Sequence, residues 1–301
     1  MKRIISTIIM VCGILVANAQ QDPHYTMYMY NMNIVNPAYA GTTESINVGV
    51  LGRQQWVGVK GAPSTYTANI HSPISNGLGA GLSIITDEIG PSKESNIYAD
   101  LSYKFKVSEK GKLSFGFKFG ATIFNLDSAL QTTDTEGSLN VGFNEFFPNV
   151  GAGLYYYTDV YYFGLSTPNL LNSKHIDKSS GGESASESEH VFVTTGYVFQ
   201  PEDYLKVKPS LLTKVVPGAP VSVDLSLNFL YQDRFELGFS HRWKDSWASI
   251  VNILVTDDLR IGYAYDHTLS NLGDFNRGSH EIMILYSFNL SSKQIKSPRF
   301  F

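Results

Sequence analysis

Residues 97–107 read Ile-Tyr-Ala-Asp-Leu-Ser-Tyr-Lys-Phe-Lys-Val, and residues 113–123 read Leu-Ser-Phe-Gly-Phe-Lys-Phe-Gly-Ala-Thr-Ile. Each alternates strictly. Ile97, Ala99, Leu101, Tyr103, Phe105 and Val107 share one face, and Tyr98, Asp100, Ser102, Lys104 and Lys106 the other. A strand has a two-residue side-chain period, so these segments are strands with one apolar and one polar face. The same pattern recurs in 221–231 and, more weakly, in 259–265 and 280–290. About fourteen such segments fill the chain from 46 to 290. Many reach the roughly 9–11 residues that a tilted strand needs to cross a bilayer, against about 5–6 in soluble proteins.

The connections alternate in length. Short turns lie at 75–77, 108–111, 158–159, 201–203, 232–233 and 257–258, and longer segments at 126–146, 168–189 and 269–277. Short turns at one end and longer loops at the other are the pattern of outer-membrane barrels. The sequence therefore predicts an all-β fold: a transmembrane antiparallel up-and-down barrel of about 14 strands, with short periplasmic turns and longer extracellular loops. Its apolar face meets lipid. Arg53, Asp100, Lys104, Lys118, Asp224, Glu236, Arg242, Arg260, Asp266 and Glu281 face a lumen holding water and ion pairs. Aromatics near strand ends (Trp56, Tyr155–Tyr157, Tyr161, Tyr162, Trp243, Trp247, Tyr286) are read as an interfacial girdle.

The 301 residues carry 17% charged and 13% aromatic side chains and a formal net charge of -4. That apolar content excludes disorder. Without a basic excess, the chain is not a nucleic-acid binder. Residues 1–19 read as a signal peptide: Lys2 and Arg3, a short apolar run from Ile4 to Val16, and an Ala17-Asn18-Ala19 cleavage site. Cleavage near Ala19 removes the only cysteine, Cys12, which leaves no disulfide. The expected organisation is a signal over 1–19, a periplasmic N-terminal segment over 20–45 that plugs or seals the lumen, a barrel over 46–290, and a periplasmic tail over 291–301.

No catalytic, metal or cofactor site is expected. The histidines are scattered without ligand spacing, no nucleophile elbow is present, and Gly77-Leu78-Gly79-Ala80-Gly81 enters a strand, where small residues ease close packing of the wall. Asp127-Ser128-Ala129 offers a short glycan-acceptor match in a solvated loop.

The stretch Gln21–Gly41 (QDPHYTMYMYNMNIVNPAYAG), then Arg53-Gln54-Gln55-Trp56-Val57-Gly58 with Gly61-Ala62-Pro63-Ser64-Thr65, then Gly164-Leu165-Ser166-Thr167-Pro168-Asn169-Leu170-Leu171 and the closing Ser297–Phe301 together resemble the PorP/SprF family of type IX secretion membrane proteins. The resemblance implies an outer-membrane barrel that supports export or surface attachment of a large cargo, such as a gliding adhesin, through the cargo's type-B C-terminal sorting domain. Its implied partners are lipid, that cargo, other secretion components and a periplasmic peptidoglycan-linked protein. The candidate structural or partner-binding residues are Asn36 and Pro37, which fix a turn, inward-pointing Arg53, Trp56 near the exterior rim, and Pro168 with Asn169. Rival readings are a FadL-like or porin-like transporter of small solutes and a soluble lectin-like β protein. A dry interior between two layers of Phe and Leu would contradict the barrel.

Overall fold

The computed structural model describes residues 24–126, 143–171 and 189–289. The signal peptide, the 291–301 tail, the Asp127-Ser128-Ala129 match and most of the 126–146 and 168–189 loops lie outside these residues.

The strands are β1 (Ser45–Gln54), β2 (Ser64–Ser75), β3 (Leu78–Ile89), β4 (Ser92–Lys106), β5 (Lys112–Leu126), β6 (Phe143–Tyr157), β7 (Tyr161–Thr167), β8 (Val191–Tyr197), β9 (Phe199–Glu202), β10 (Leu205–Val215), β11 (Ser222–Tyr231), β12 (Phe235–Arg242), β13 (Ser246–Leu254), β14 (Leu259–Thr268) and β15 (Ser279–Asn289). β8 and β9 are halves of one stave separated by Val198, and both pair with β10. The fifteen strands thus make fourteen staves. Each pairs antiparallel with its neighbour in sequence, and β15 closes on β1 from Ser45↔Asn289 to Gln54↔His280. Closure removes the sheet edges that would otherwise be left bare in a bilayer.

The wall inverts the usual burial order. Leu101 is 52% exposed and Phe117, its neighbour across the ladder, 58%, whereas Asp100 and Lys118 are each 1% exposed. The same parity puts Leu82, Val251 and Ile282 outside, and Arg53, Asp224 and Glu281 inside. Exposed Phe and Leu beside buried Lys and Asp is the arrangement of a lipid-facing barrel and rules out a dry sandwich. Tyr66, Trp243 and Trp247 ring the loop-rich end, and Tyr103, Tyr197, Tyr204 and Tyr231 the short-turn end.

Part of the aromatic reading is corrected. Tyr155, Tyr157 and Tyr162 do not belong to the girdle; they are buried inside, and Tyr155 packs edge-on against Tyr39. The two-residue period sends Tyr156 and Tyr161 outward and their neighbours inward.

Placing a cation on the outer face has a stated cost. Leu101→Lys puts an ammonium in the belt, where charge costs about 2–4 kcal/mol. Its urea midpoint in lipid vesicles is expected to fall well below that of Tyr103→Leu, an apolar exchange on the same face.

Candidate functional site

Much of the space inside the wall is filled by the chain itself. Residues 24–43 (His-Tyr-Thr-Met-Tyr-Met-Tyr-Asn-Met-Asn-Ile-Val-Asn-Pro-Ala-Tyr-Ala-Gly-Thr-Thr) lie inside the barrel, and most of them are buried. Their backbone forms three short pieces, Tyr28–Tyr30, Met32–Val35 and Pro37–Tyr39. Asn31 and Asn36 sit at the breaks. The Asn36 side chain accepts from the Ala38 N–H (2.9 Å), and Pro37 opens the following turn with its φ already fixed. Met27, Tyr28, Met32, Ile34 and Val35 join Tyr98, Tyr155, Ile250 and Met283 of the wall in one apolar cluster. Unbranched methionines fill the irregular space between a round wall and a kinked segment.

The segment runs the length of the lumen. At the loop-rich end, Glu281 accepts from the backbone N–H groups of Thr26 (2.9 Å) and Met27 (2.8 Å). Arg53 binds Glu281 (2.9 Å) and Asp266 (2.6 Å), and the Thr26 hydroxyl bonds Asp266 (2.7 Å). Three strands, β1, β14 and β15, thus converge on one turn of the plug. Further along, Glu236 accepts from Arg260 (2.9 Å), Asn252 (3.1 Å), Asn228 (2.5 Å) and the Tyr30 hydroxyl. Asn69 donates to Asn31 (2.7 Å), which donates to Thr67 (3.1 Å). Lys118, ion-paired with Asp100 (2.7 Å), donates to Asn33 O, and Ser166 to Val35 O. At the short-turn end Ser102 donates to Ala40 O (2.6 Å) and Lys104 to Gly41 O (2.5 Å).

The wall's polar side chains therefore stand in for the ladder that a kinked backbone cannot make for itself. Charged partners make these bonds roughly twice as strong as neutral ones, and closure inside the wall screens them little. Such a lining clamps a segment in place.

Close approach is built in at glycines. A Cβ on Gly116 would lie 2.2 Å from the Ala38 nitrogen, one on Gly153 2.1 Å from Asn36 Oδ1, and one on Gly79, in the 77–81 run, 2.5 Å from Ala40 O. Only a residue without a side chain lets plug and wall meet at those points.

Among the residues singled out from sequence, Asn36 is fully buried and its Nδ2 donates to Leu154 O of β6 (2.9 Å), beside Pro37. Arg53 anchors the other end of the plug. Trp56 lies apart, in the β1–β2 connection, with its N–H on Ser279 Oγ (3.2 Å). Pro168 packs over Gly151, and Asn169 Oδ1 accepts from Asn149 (2.8 Å) and the Tyr98 hydroxyl (3.3 Å). Sequence reading placed Asp266, Glu281 and Glu236 on the inner face without linking them to the plug. Isolated carboxylates on otherwise small-polar faces were the available signal. Among the described residues no group of three or more His, Cys, Asp or Glu is arranged to hold a metal ion.

The family profile described as "Type IX secretion system membrane protein PorP/SprF" matches residues 17–286. The chain belongs to the PorP/SprF family. No curated relative matches it. Among solved structures, the CymD monoaromatic hydrocarbon channel is similar at a TM-score of 0.50 and 11% identity, over 86% of this chain and 92% of that one. A Pseudomonas aeruginosa FadL homologue is similar at 0.48 and 13%, over 91% and 96%. The Pseudomonas putida toluene transporter TodX is similar at 0.48 and 10%, over 87% and 95%. At these identities the likeness concerns the fold alone. This PorP/SprF chain is an outer-membrane β-barrel of a secretion family that is non-enzymatic in kind.

Proposed function

We propose that this PorP/SprF barrel supports export and cell-surface retention of one cargo protein with a type-B C-terminal sorting domain, such as a gliding adhesin. It holds that cargo non-covalently through its extracellular loops and carries out no reaction. The observation that carries this reading is the family match over nearly the whole chain. The filled lumen supports it: a segment clamped at Glu281, Glu236 and Lys118 leaves the wall and loops, not a pore, as the working surface. The signal is cleaved near Ala19, and the basic tail over 291–301 faces the periplasm, where other secretion components or a peptidoglycan-linked protein meet it.

Shortening the β5–β6 loop within 127–142 or the β7–β8 loop within 172–188 is expected to release or block the cargo on intact cells while the barrel still inserts, as read by surface immunolabelling beside heat-modifiable mobility in gels. Unchanged display in both variants would refute the loop platform. The transporter alternative is tested with the wild-type barrel in liposomes: sustained solute uptake above empty vesicles would favour it over the secretion reading.

A further inference from the structure

On the β12–β15 wall the outward apolar runs end in histidines at the loop-rich rim. Leu237 and Phe239 lead to His241 on β12, Ile261, Tyr263 and Tyr265 to His267 on β14, and Ile284 and Ile282 to His280 on β15. The two-residue period points all three histidines outward; His267 is exposed and the other two half-buried. Trp247 of β13 stands between two of them. It pairs with His241 on one side and with His267 on the other, its ring 5.6 Å from that of His267. His241 and His267 are thus two strand spacings apart, about 10 Å. His280 faces Tyr265, which puts it one diagonal from His267, about 7–8 Å away. The Tyr263 hydroxyl bonds His280 Nδ1 (2.6 Å), and where that hydroxyl donates, Nε2 carries the ring proton.

Two cations flank the row. Lys244 lies in the β12–β13 turn, three residues from both His241 and Trp247, and Arg277 in the β14–β15 connection. The Tyr265 hydroxyl donates to Arg277 O (3.3 Å), and the Tyr265 ring packs 5.3 Å from that of His280, so the connection is held against the row. Both cations are exposed, and among the described residues neither forms an ion pair. Of the carboxylates beside them, Asp245 bonds Arg242 (3.3 Å) and Asp274 is exposed. Elsewhere on the same rim, Lys93 is neutralised by Glu88 (2.6 Å). The segments that frame the row, 235–289 and the β1–β2 connection over 55–63, are described without a break.

The row continues a surface that faces lipid, and it stands where the apolar belt gives way to head groups. Imidazole, indole, ammonium and guanidinium groups all offer N–H donors. Their match is an anion with several acceptor oxygens, attached to chains that cover Phe239, Tyr263 and Ile282 below. We propose that the His241–Trp247–His267 row, with His280, Lys244 and Arg277, binds the phosphorylated head group of an outer-leaflet lipid. Charge-assisted bonds from Lys244 and Arg277 supply the strength, and the fork of Arg277 fits phosphate oxygens bidentately. The ring N–H groups fix the head group's position along the wall. The site is independent of how cargo is held.

The test titrates the purified full-length barrel in detergent with diphosphorylated lipid A and counts retained lipid by native mass spectrometry. Dephosphorylated lipid A is the matched probe. The wild type is expected to retain the phosphorylated lipid and release the other. Lys244→Gln with Arg277→Gln is expected to weaken retention about tenfold or more, the change that loss of a charge-assisted hydrogen bond carries. His241→Phe with His267→Phe keeps the rings, removes their N–H groups and is expected to weaken it as well. Lys93→Gln, at the neutralised part of the rim, is expected to match the wild type. Heat-modifiable mobility checks the fold of each variant, and the two pairs give independent readings. Equal retention of both lipids, undiminished retention by either folded pair, or an equal loss in Lys93→Gln would overturn the proposal. Displacement of the lipid by an equal concentration of inorganic phosphate would also overturn it, because the site would then serve a soluble anion.

Discussion

Arg53→Ala is expected to free the outer end of the plug and open the barrel to ions. The guanidinium sits 2–3% exposed between two carboxylates, and one of these, Glu281, also holds the Thr26 and Met27 N–H groups. Its removal takes away the one cation bonded to both Asp266 and Glu281 among the described residues. Truncating one member of a buried ion pair typically costs about 3–5 kcal/mol, because the partner charge stays buried. The wall has its continuous ladders to fall back on, whereas the plug has none, so the loss falls on the plug. The expected results are a lowered urea midpoint, ion conductance in planar bilayers where the wild type shows little, and normal insertion. Arg53→Met combined with Asp266→Asn and Glu281→Gln removes all three charges, and it is expected to recover much of the midpoint. A wild-type midpoint and silent conductance for Arg53→Ala would show that Arg53 does not hold the plug.

How far the sequence could be read follows from what each pattern encodes. Alternation in 97–107 and 113–123 encodes which atoms meet lipid, and that inference extends directly to the barrel, its strand number and the inward set of Arg53, Asp100 and Glu281. Where aromatic residues are consecutive, as in Tyr155–Tyr157, composition alone suggested a girdle. The period had to be applied residue by residue to send two of the three inward. The contacts of the plug were not legible at all. Asn31 meets Asn69, and Tyr30 meets Glu236, across separations that no local pattern records. The short pairing of β7 was equally hidden: no local pattern records that, among the described residues, its ladder with β6 ends at Ala152↔Thr167. Glycines in alternating strands were the nearest signal to the plug's seat: Gly116 and Gly153 fall at inward positions where a polar side chain would otherwise stand.

Gly116→Val is expected to evict the inner half of the plug without breaking the wall. An added Cβ lies 2.2 Å from the Ala38 nitrogen and 2.4 Å from the Pro37 carbonyl carbon. Both are backbone atoms, so no rotamer change relieves the overlap. Pro37 fixes its own φ, which denies the chain the nearest escape. The wall, in contrast, gains a β-branched residue suited to a strand. Overpacking of this kind costs about 1–3 kcal/mol where side chains can shift, and more is expected where backbone meets backbone. The segment over 32–40 then leaves its seat, and the bonds that Lys118, Ser166 and Asn36 make there are lost together. Hydrogen exchange is expected to rise across residues 32–40 while the β4–β5 ladder stays protected. Gly52→Ala is the control: it faces outward, its nearest contact would be Tyr66 at 3.5 Å, and both exchange and insertion are expected to stay as in the wild type. Comparing Gly116→Val with Arg53→Ala then separates the two ends of the plug. If cargo display survives both, the cargo is held on the wall and loops independently of the lumen, and if it fails in both, the seated plug is what gives the outer rim its binding shape.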